Sequence, residues 1–131
     1  MSKTSTTVDR LFECARIAAE RRGQDIVALD VEGLTGFTDY FLLVSASSDR
    51  RVRTIAEAVR DEMKAQGLPA LGVEGLKEGK WALIDFGAFV VHVFFEELRG
   101  FFDLEGLWSE AKRLPLPESV TKASAKATEV P

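Results

Sequence analysis

The sequence has little of several residue types on which whole classes of protein depend. Among its 131 residues it has one cysteine, one histidine and no asparagine. A single cysteine excludes an intramolecular disulfide, and the lack of asparagine excludes N-linked glycosylation. One histidine and one cysteine also cannot supply the clustered nitrogen and sulfur ligands of a zinc site. We therefore expect an intracellular protein with no disulfide framework and no bound metal.

Positive charge and long apolar runs are also missing. The formal net charge is −4, so the overall field repels phosphate and disfavours a DNA-binding protein that relies on a basic surface. No run approaches the roughly 20 apolar residues that span a bilayer, and the first ten residues have no signal-peptide core. These features predict a soluble, cytoplasmic protein with no DNA or membrane partner.

Hydrophobic periodicity predicts one domain that mixes helices and strands. Helical spacing runs from Val8 to Ala19 and again from Val52 to Met63, and each stretch ends at a glycine. The segments "DIVALDV", "DYFLLVSAS" and "PALGVEG" read as strands, and "KWALIDFGAFVVHVFF" reads as a hairpin. The fold class is therefore α/β (α+β), with a mixed five-stranded sheet and helices mainly on one face. A helical or turn-rich segment follows the hairpin. We place the domain at residues 1–117, which includes this segment, and predict a disordered tail at 118–131.

The hairpin has two chemically different faces. If Gly87 and Ala88 form a two-residue type II′ loop, Phe86 pairs with Phe89 and the register is set. One face is then wholly apolar and suited to the core: Ala82, Ile84, Phe86, Phe89, Val91, Val93 and Phe95. The other face mixes large apolar groups with two polar ones: Trp81, Leu83, Asp85, Val90, His92 and Phe94. Such a mixture is typical of the centre of a protein interface, where tryptophan is favoured.

Two interpretations based on enzymatic chemistry stay open beside this one. Asp85 and His92 lie diagonally across the hairpin, about 7 to 8 Å apart at Cβ, and would form an acid/base pair if they met. Asp30 and Glu32, two apart on a strand, resemble the paired acids of magnesium-dependent nucleotidyl transfer. Each has a more ordinary explanation, as an interface pair and as polar ends of a strand.

Three segments together resemble the ribosomal silencing factor family, whose members are also called Iojap-like proteins. They are "DIVALDVEGLTGFTDYFLLVSASSDRRVRTIAEAV", "EGKWALIDFGAFVVHVF" and "LRGFFDLEGLW", in the order and spacing of the family. The resemblance covers about residues 8 to 110. It implies a homodimeric, non-enzymatic factor without a cofactor, whose topology is similar to that of nucleotidyltransferases but lacks their catalytic residues.

The resemblance also implies a partner and a set of contact residues. Members bind the large ribosomal subunit through its fourteenth L-series protein, block the small subunit sterically, and repress translation when nutrients are scarce. An acidic protein suits a basic ribosomal partner. The motif residues carried over to this chain are Trp81, Asp85, His92, Asp39 and Tyr40. The expected partner-binding set adds four neighbours on or beside the hairpin: Leu83, Phe94, Lys77 and Lys80.

Overall fold

The computed structural model describes residues 3–102 and 109–121, with side chains described for 6–99 and 109–121. The named elements, in chain order, are α1 (Lys3–Glu20), β1 (Gln24–Asp30), β2 (Tyr40–Ala46), α2 (Asp49–Ala65), β3 (Gly72–Glu74), β4 (Trp81–Asp85), β5 (Phe89–Phe95), α3 (Glu96–Phe102) and β6 (Lys112–Leu114). A short helical segment, α4, follows at residues 118–121. Within these ranges, none of the helices is long and apolar enough to cross a membrane.

The strands form one mixed sheet in the order β3-β4-β5-β2-β1-β6. Strands β2 and β5 run parallel, and every other neighbouring pair is antiparallel. The orientation of β3 therefore matches that of β2, and the two strands of the hairpin lie between them in the sheet. The prediction of five strands is wrong: β6 is a sixth strand, paired with β1 from Ala28 to Asp30. Three residues without alternation carry no strand signal of their own, and their pairing with β1 decides their conformation.

Helix α2 illustrates how local sequence sets the core. Ser48 is its N-cap, with the Arg51 backbone N–H donating to the Ser48 Oγ at 3.0 Å. Its apolar stripe is buried: Val52, Ile55, Ala56, Val59 and Met63. Together with α1, this stripe packs against one face of the sheet in the main hydrophobic cluster. Burial of each larger side chain contributes roughly 1.5 to 3 kcal/mol.

The hairpin has the predicted register. Trp81 pairs with Phe94, Leu83 with His92 and Asp85 with Val90. Gly87 has φ 86°, so the glycine supplies the positive φ that the predicted loop requires. The Ala88 backbone N–H donates to the Phe86 carbonyl at 3.1 Å, and this i to i+2 bond is that of a γ-turn, whereas a type II′ turn was predicted. The predicted apolar face packs in the main cluster under α1 and α2, and the predicted mixed face belongs to a second cluster on the other side of the sheet.

The predicted boundary of the disordered tail is placed too early. Residues 118–121 are helical, and Val120 is 1% exposed within the main cluster. The sequence does not predict this helix, because a single valine in a polar segment gives no periodic signal. The burial of its side chain depends on tertiary contacts. The remainder of the predicted tail, residues 122–131, lies outside the described residues, as do residues 103–108 of the third family-like segment.

Candidate partner-binding surface

A row of aromatic rings crosses the sheet on the face opposite α1 and α2. It runs through Phe37, Phe41, His92, Phe94 and Trp81, and the ring centroids of successive members are 6.2, 4.9, 6.1 and 5.2 Å apart. The period of two along β2, β4 and β5 brings the last four of these side chains to one face, and pairing of the strands brings them into contact. Phe37 lies in the loop before β2 and reaches the row through Phe41. The middle of the row is buried, whereas Phe37 is exposed and Trp81 half-buried.

His92 holds the indole of Trp81 in place. The Trp81 Nε1–H donates to His92 Nδ1 at 3.1 Å, so Nδ1 is the unprotonated nitrogen of a neutral ring. Burial lowers the pKa of His92 to about 4, because a charged imidazolium loses its hydration in this apolar cluster. The buried Nε2 has no hydrogen-bond partner among the described residues. His92 is therefore a neutral acceptor that orients Trp81.

The hypothetical acid/base pair is not formed. Asp85 Oδ1 accepts a hydrogen bond from the Gly87 backbone N–H at 2.8 Å, within the hairpin turn. The described structure contains no hydrogen bond between Asp85 and His92, whose Nδ1 is already bound to Trp81. The Asp85 carboxylate is half-buried and its second oxygen is not used in that turn bond. This geometry suits an acceptor for a cationic partner group better than it suits proton transfer.

The structure separates the predicted contact residues into distinct groups. Trp81, Leu83 and Asp85 lie half-buried along β4 on the aromatic face. His92 and Phe94 lie on the same face but are 5% and 1% exposed. They support the surface from below, and their burial leaves little of either side chain exposed, so a direct contact of these two residues with a partner stays a prediction.

Three other predicted contact residues lie elsewhere. Tyr40 is buried in the main cluster, on the opposite face of the sheet from Trp81, because it alternates with Phe41 along β2. Lys77 and Lys80 are exposed, but they precede β4, whereas Asp85 ends it. Five residues of strand separate Lys80 from Asp85 by roughly 16 Å. Tyr40 and the two lysines therefore lie away from the half-buried surface formed by Trp81, Leu83 and Asp85, and their contact with a partner stays a prediction.

Acidic residues lie close together at the end of β4 that contains Asp85. Asp39 follows the loop from β1 to β2 and is half-buried, and its backbone N–H donates to the Ala88 carbonyl at 3.1 Å beside the hairpin turn. Burial raises the pKa of Tyr40, and the nearby carboxylates of Asp30, Glu32 and Asp39 raise it further. These carboxylates therefore lie near one another around Tyr40, at the end of the sheet where β4 ends and β2 begins.

Asp30 and Glu32 are not arranged as a metal-binding pair. Strand β1 ends at Asp30, and Glu32 lies in the following turn, where its backbone N–H donates to Asp30 Oδ1 at 3.0 Å. The prediction that both lie on one strand face is wrong, because the chain turns immediately after Asp30. In the described part of the chain, no group of three or more histidine, cysteine or carboxylate residues is placed to hold a metal ion.

Two exposed apolar residues at the acidic end were missed by sequence reasoning. Phe37 and Leu71 are 68% and 74% exposed, and both lie close to the hairpin turn. The segment "GLTGFTD" carried a signal for Phe37, since a large aromatic residue between turn-forming residues has no strand or helix to bury it. Leu71 carried no such signal, because it precedes a strand in an apolar context.

A protein-family model and several known proteins match this chain. The family model described as "Ribosomal silencing factor during starvation" matches residues 4–131. The chain is 40% identical over 92 residues to the ribosomal silencing factor RsfS of Bacillus subtilis, covering 70% of this chain and 78% of that protein. It is also 32% identical to the chloroplastic protein Iojap of Zea mays over 103 residues, covering 79% of this chain and 45% of that protein.

A solved structure has a similar fold. A crystal structure of a protein from Bacillus halodurans aligns with a TM-score of 0.71 at 31% identity, covering 82% of this chain and 99% of the other. The arrangement of strands and helices described above is therefore shared with a protein known from experiment.

Proposed function

Because this chain belongs to the ribosomal silencing factor family, we propose that it binds the large ribosomal subunit through that subunit's fourteenth L-series protein. Bound there, it occupies space that the small subunit needs, so the two subunits do not join. Translation is thereby repressed under nutrient limitation, as in stationary phase. The protein acts in the cytoplasm as a homodimer, without a cofactor and without making or breaking a covalent bond.

The observation that supports this proposal is the half-buried Trp81 on β4. Its ring stacks on Phe94 at 5.2 Å between centroids and donates to His92, so it is already ordered before a partner arrives. A rigid aromatic side chain with part of its surface exposed is typical of a binding hot spot. Leu83 beside it extends the apolar surface, and Asp85 supplies an acceptor for a lysine or arginine.

Charge also supports a basic ribosomal protein as the direct partner. The net charge of −4 opposes binding to exposed RNA phosphates but favours encounter with a positively charged protein. The alternative, a magnesium-dependent nucleotidyltransferase that uses Asp30 and Glu32, gains no support from the turn in which these residues lie. A topology similar to that of nucleotidyltransferases stays a prediction.

The experiment is co-sedimentation of the purified chain with purified large subunits, with small subunits as the control. We expect binding to the large subunit only. Trp81→Ala should weaken that binding by about 2 kcal/mol or more, roughly 30-fold in Kd. Glu57→Ala, an exposed position on α2, is the matched control and should bind normally.

Circular dichroism of each variant separates a loss of contact from a loss of folding. Equal affinity of the wild type and a folded Trp81→Ala variant would remove Trp81 as the anchor. Failure of the wild type to sediment with large subunits would refute the proposed function itself.

A further inference from the structure

We propose that the acidic end of the sheet is a second docking surface, which receives a lysine- or arginine-rich protein segment of the large subunit. We call it the acidic tip and define it by six residues: Glu32, Leu34, Phe37, Asp39, Leu71 and Asp85. The inference rests on the proposed function, because it takes the large subunit as the source of the partner. It extends the surface around Trp81, with which it shares Asp85.

The hairpin turn brings separate segments together at the tip. The hydroxyl of Thr38 donates to the Gly87 carbonyl at 3.0 Å, so the loop from β1 to β2 is attached to the turn. The Leu71 backbone N–H donates to the Asp85 carbonyl at 2.7 Å. Leu71 Cδ1 lies 3.2 Å from the position that a Cβ on Gly87 would occupy. The loop from β1 to β2 and Leu71, which are distant in sequence, therefore both meet the hairpin turn at Gly87.

The tip concentrates the exposed apolar side chains. Within the described residues, the large hydrophobic side chains that are exposed are Leu34 at 39%, Phe37 at 68% and Leu71 at 74%. All three lie at this end of the sheet. Scattered apolar side chains are normal on a surface, but grouping at one place marks an interaction site. The ring of Phe37 also rests near that of Phe41, at 6.2 Å, which restrains it in an exposed position.

The charge of the tip selects a cationic partner. Glu32, Asp39 and Asp85 lie at the same end of the sheet as the apolar residues, and none of the ion pairs found between described residues involves them. Lys112 pairs across the sheet with Asp30, at the margin of this region. The exposed Lys80 precedes β4 and is roughly 16 Å from Asp85. The tip therefore has an unbalanced negative charge around an apolar centre.

This combination disfavours the other occupants. RNA phosphates would be repelled by the same carboxylates. A second copy of the chain joined tip to tip in a two-fold dimer would bring two identical sets of carboxylates together, and like charges in contact are costly. A protein segment with lysine or arginine beside apolar side chains satisfies both components of the surface. Its cations would pair with Asp39 and Asp85 while its apolar groups cover Phe37 and Leu71.

The first test is a matched charge experiment on the full chain. Asp39→Asn with Asp85→Asn removes two negative charges from the tip, and the amide oxygen introduced at position 85 can still accept from the Gly87 N–H. The control, Glu57→Gln with Asp61→Asn, removes two negative charges from exposed positions on α2. We expect the tip variant to bind purified large subunits roughly 5- to 10-fold more weakly at low salt, with a smaller salt dependence. The control should bind with the wild-type affinity.

The second test identifies the occupant. A photoreactive benzophenone side chain is placed at position 37 or at position 71, and the labelled chain is irradiated on purified large subunits. We expect a cross-link to a segment of a basic ribosomal protein, located by mass spectrometry. A cross-link to ribosomal RNA or to a second copy of the chain would overturn the proposal, as would the absence of any cross-link.

The two proposals fail in different ways. If the wild type binds large subunits and Trp81→Ala weakens binding, but the tip variant binds normally, the acidic tip and the role of Asp85 as an acceptor are wrong, whereas the proposed function and the anchor at Trp81 stand. If the wild type does not bind large subunits at all, the proposed function fails and the tip proposal falls with it.

Discussion

Acidification should destabilise this protein through His92, and the size of the effect follows from its burial. His92 is the sole histidine of the chain. Burial lowers its pKa to about 4 from an ordinary value of 6.5, so between these values the unfolded chain binds a proton that the folded chain does not. Because the unfolded state binds more protons there, the free energy of unfolding falls as pH falls.

The magnitude can be worked out from the two pKa values. Above pH 6.5 the histidine is neutral in both states and contributes no pH dependence. From pH 6.5 to pH 4 the free energy of unfolding falls by up to about 1.4 kcal/mol per pH unit, because one pKa unit corresponds to that energy. The total loss attributable to His92 is about 3 kcal/mol at pH 4, and little more is lost below that. This is a large part of the stability of an ordinary domain.

The assay is urea unfolding of the wild type and two variants at several pH values from about 4 to about 7.5. His92→Asn keeps an acceptor near the position of Nδ1 for Trp81 but does not titrate, and His92→Phe removes both properties. Carboxylates with a lowered pKa, such as that of Glu13 beside Arg16, also lose stabilising charge in acid, but they are shared by all three proteins. The difference between wild type and His92→Asn therefore isolates the histidine.

We expect that difference to change by about 3 kcal/mol between about pH 7 and about pH 4, in the direction that favours the variant in acid. A constant difference across this range would mean that His92 titrates normally in the folded protein. The burial argument, and with it the role of His92 as a neutral acceptor for Trp81, would then be refuted.

Three further predictions concern stability and reactivity. Deleting residues 118–131 removes the buried Val120 and should lower the free energy of unfolding by about 1.5 kcal/mol or more, a fall of roughly 5 °C in Tm. Deletion after residue 121 retains that side chain, so comparing the two truncated chains in the same thermal melt isolates its effect. Gly75→Ala should destabilise the protein clearly more than Gly67→Ala when both are measured by urea unfolding. Both glycines have a positive φ, and an alanine in that conformation costs about 1 kcal/mol at either position. Of these two positions, only at Gly75 would the new Cβ also collide with a neighbouring backbone, at the Trp81 carbonyl. Equal losses would show that the backbone relaxes around residue 75. Burial raises the pKa of the Cys14 thiol, so an aromatic disulfide reagent should label it at least roughly 100-fold more slowly in the native protein than in urea; comparable rates would mean that α1 opens readily.

The predictions that succeeded depended on short stretches of sequence. Alternation in "KWALIDFGAFVVHVFF" and the glycine at its turn were enough to predict which side chains share a face and which residues pair. The spacing from Val52 to Met63 and the glycine that follows were enough to predict α2. Each of these features depends on residues within one or two turns of helix or one hairpin, so the local chain carries the whole signal.

The candidate site was only partly predictable, because its composition depends on contacts between distant segments. The choice of Trp81 and Asp85 came from the hairpin and the family-like motif, and both lie on accessible parts of the structure. The alternation that placed Tyr40 and Phe41 on opposite faces of β2 did not say which face would be covered by helices. The two lysines precede β4, as the order of residues already indicates, so they lie toward the end of that strand opposite Asp85.

The order of residues was sufficient for the class of elements, the pairing of the hairpin and the membership of a family, since these follow from local periodicity and from motifs that can be read in order. Contacts between distant segments set the remaining features: the sixth strand, the burial of Val120, the bond from Trp81 to His92, and the exposure of Phe37 and Leu71 around Gly87. These features differ from the first group because burial and strand pairing join residues far apart in the chain. No short segment contains the information on which of its side chains the remainder of the molecule will cover.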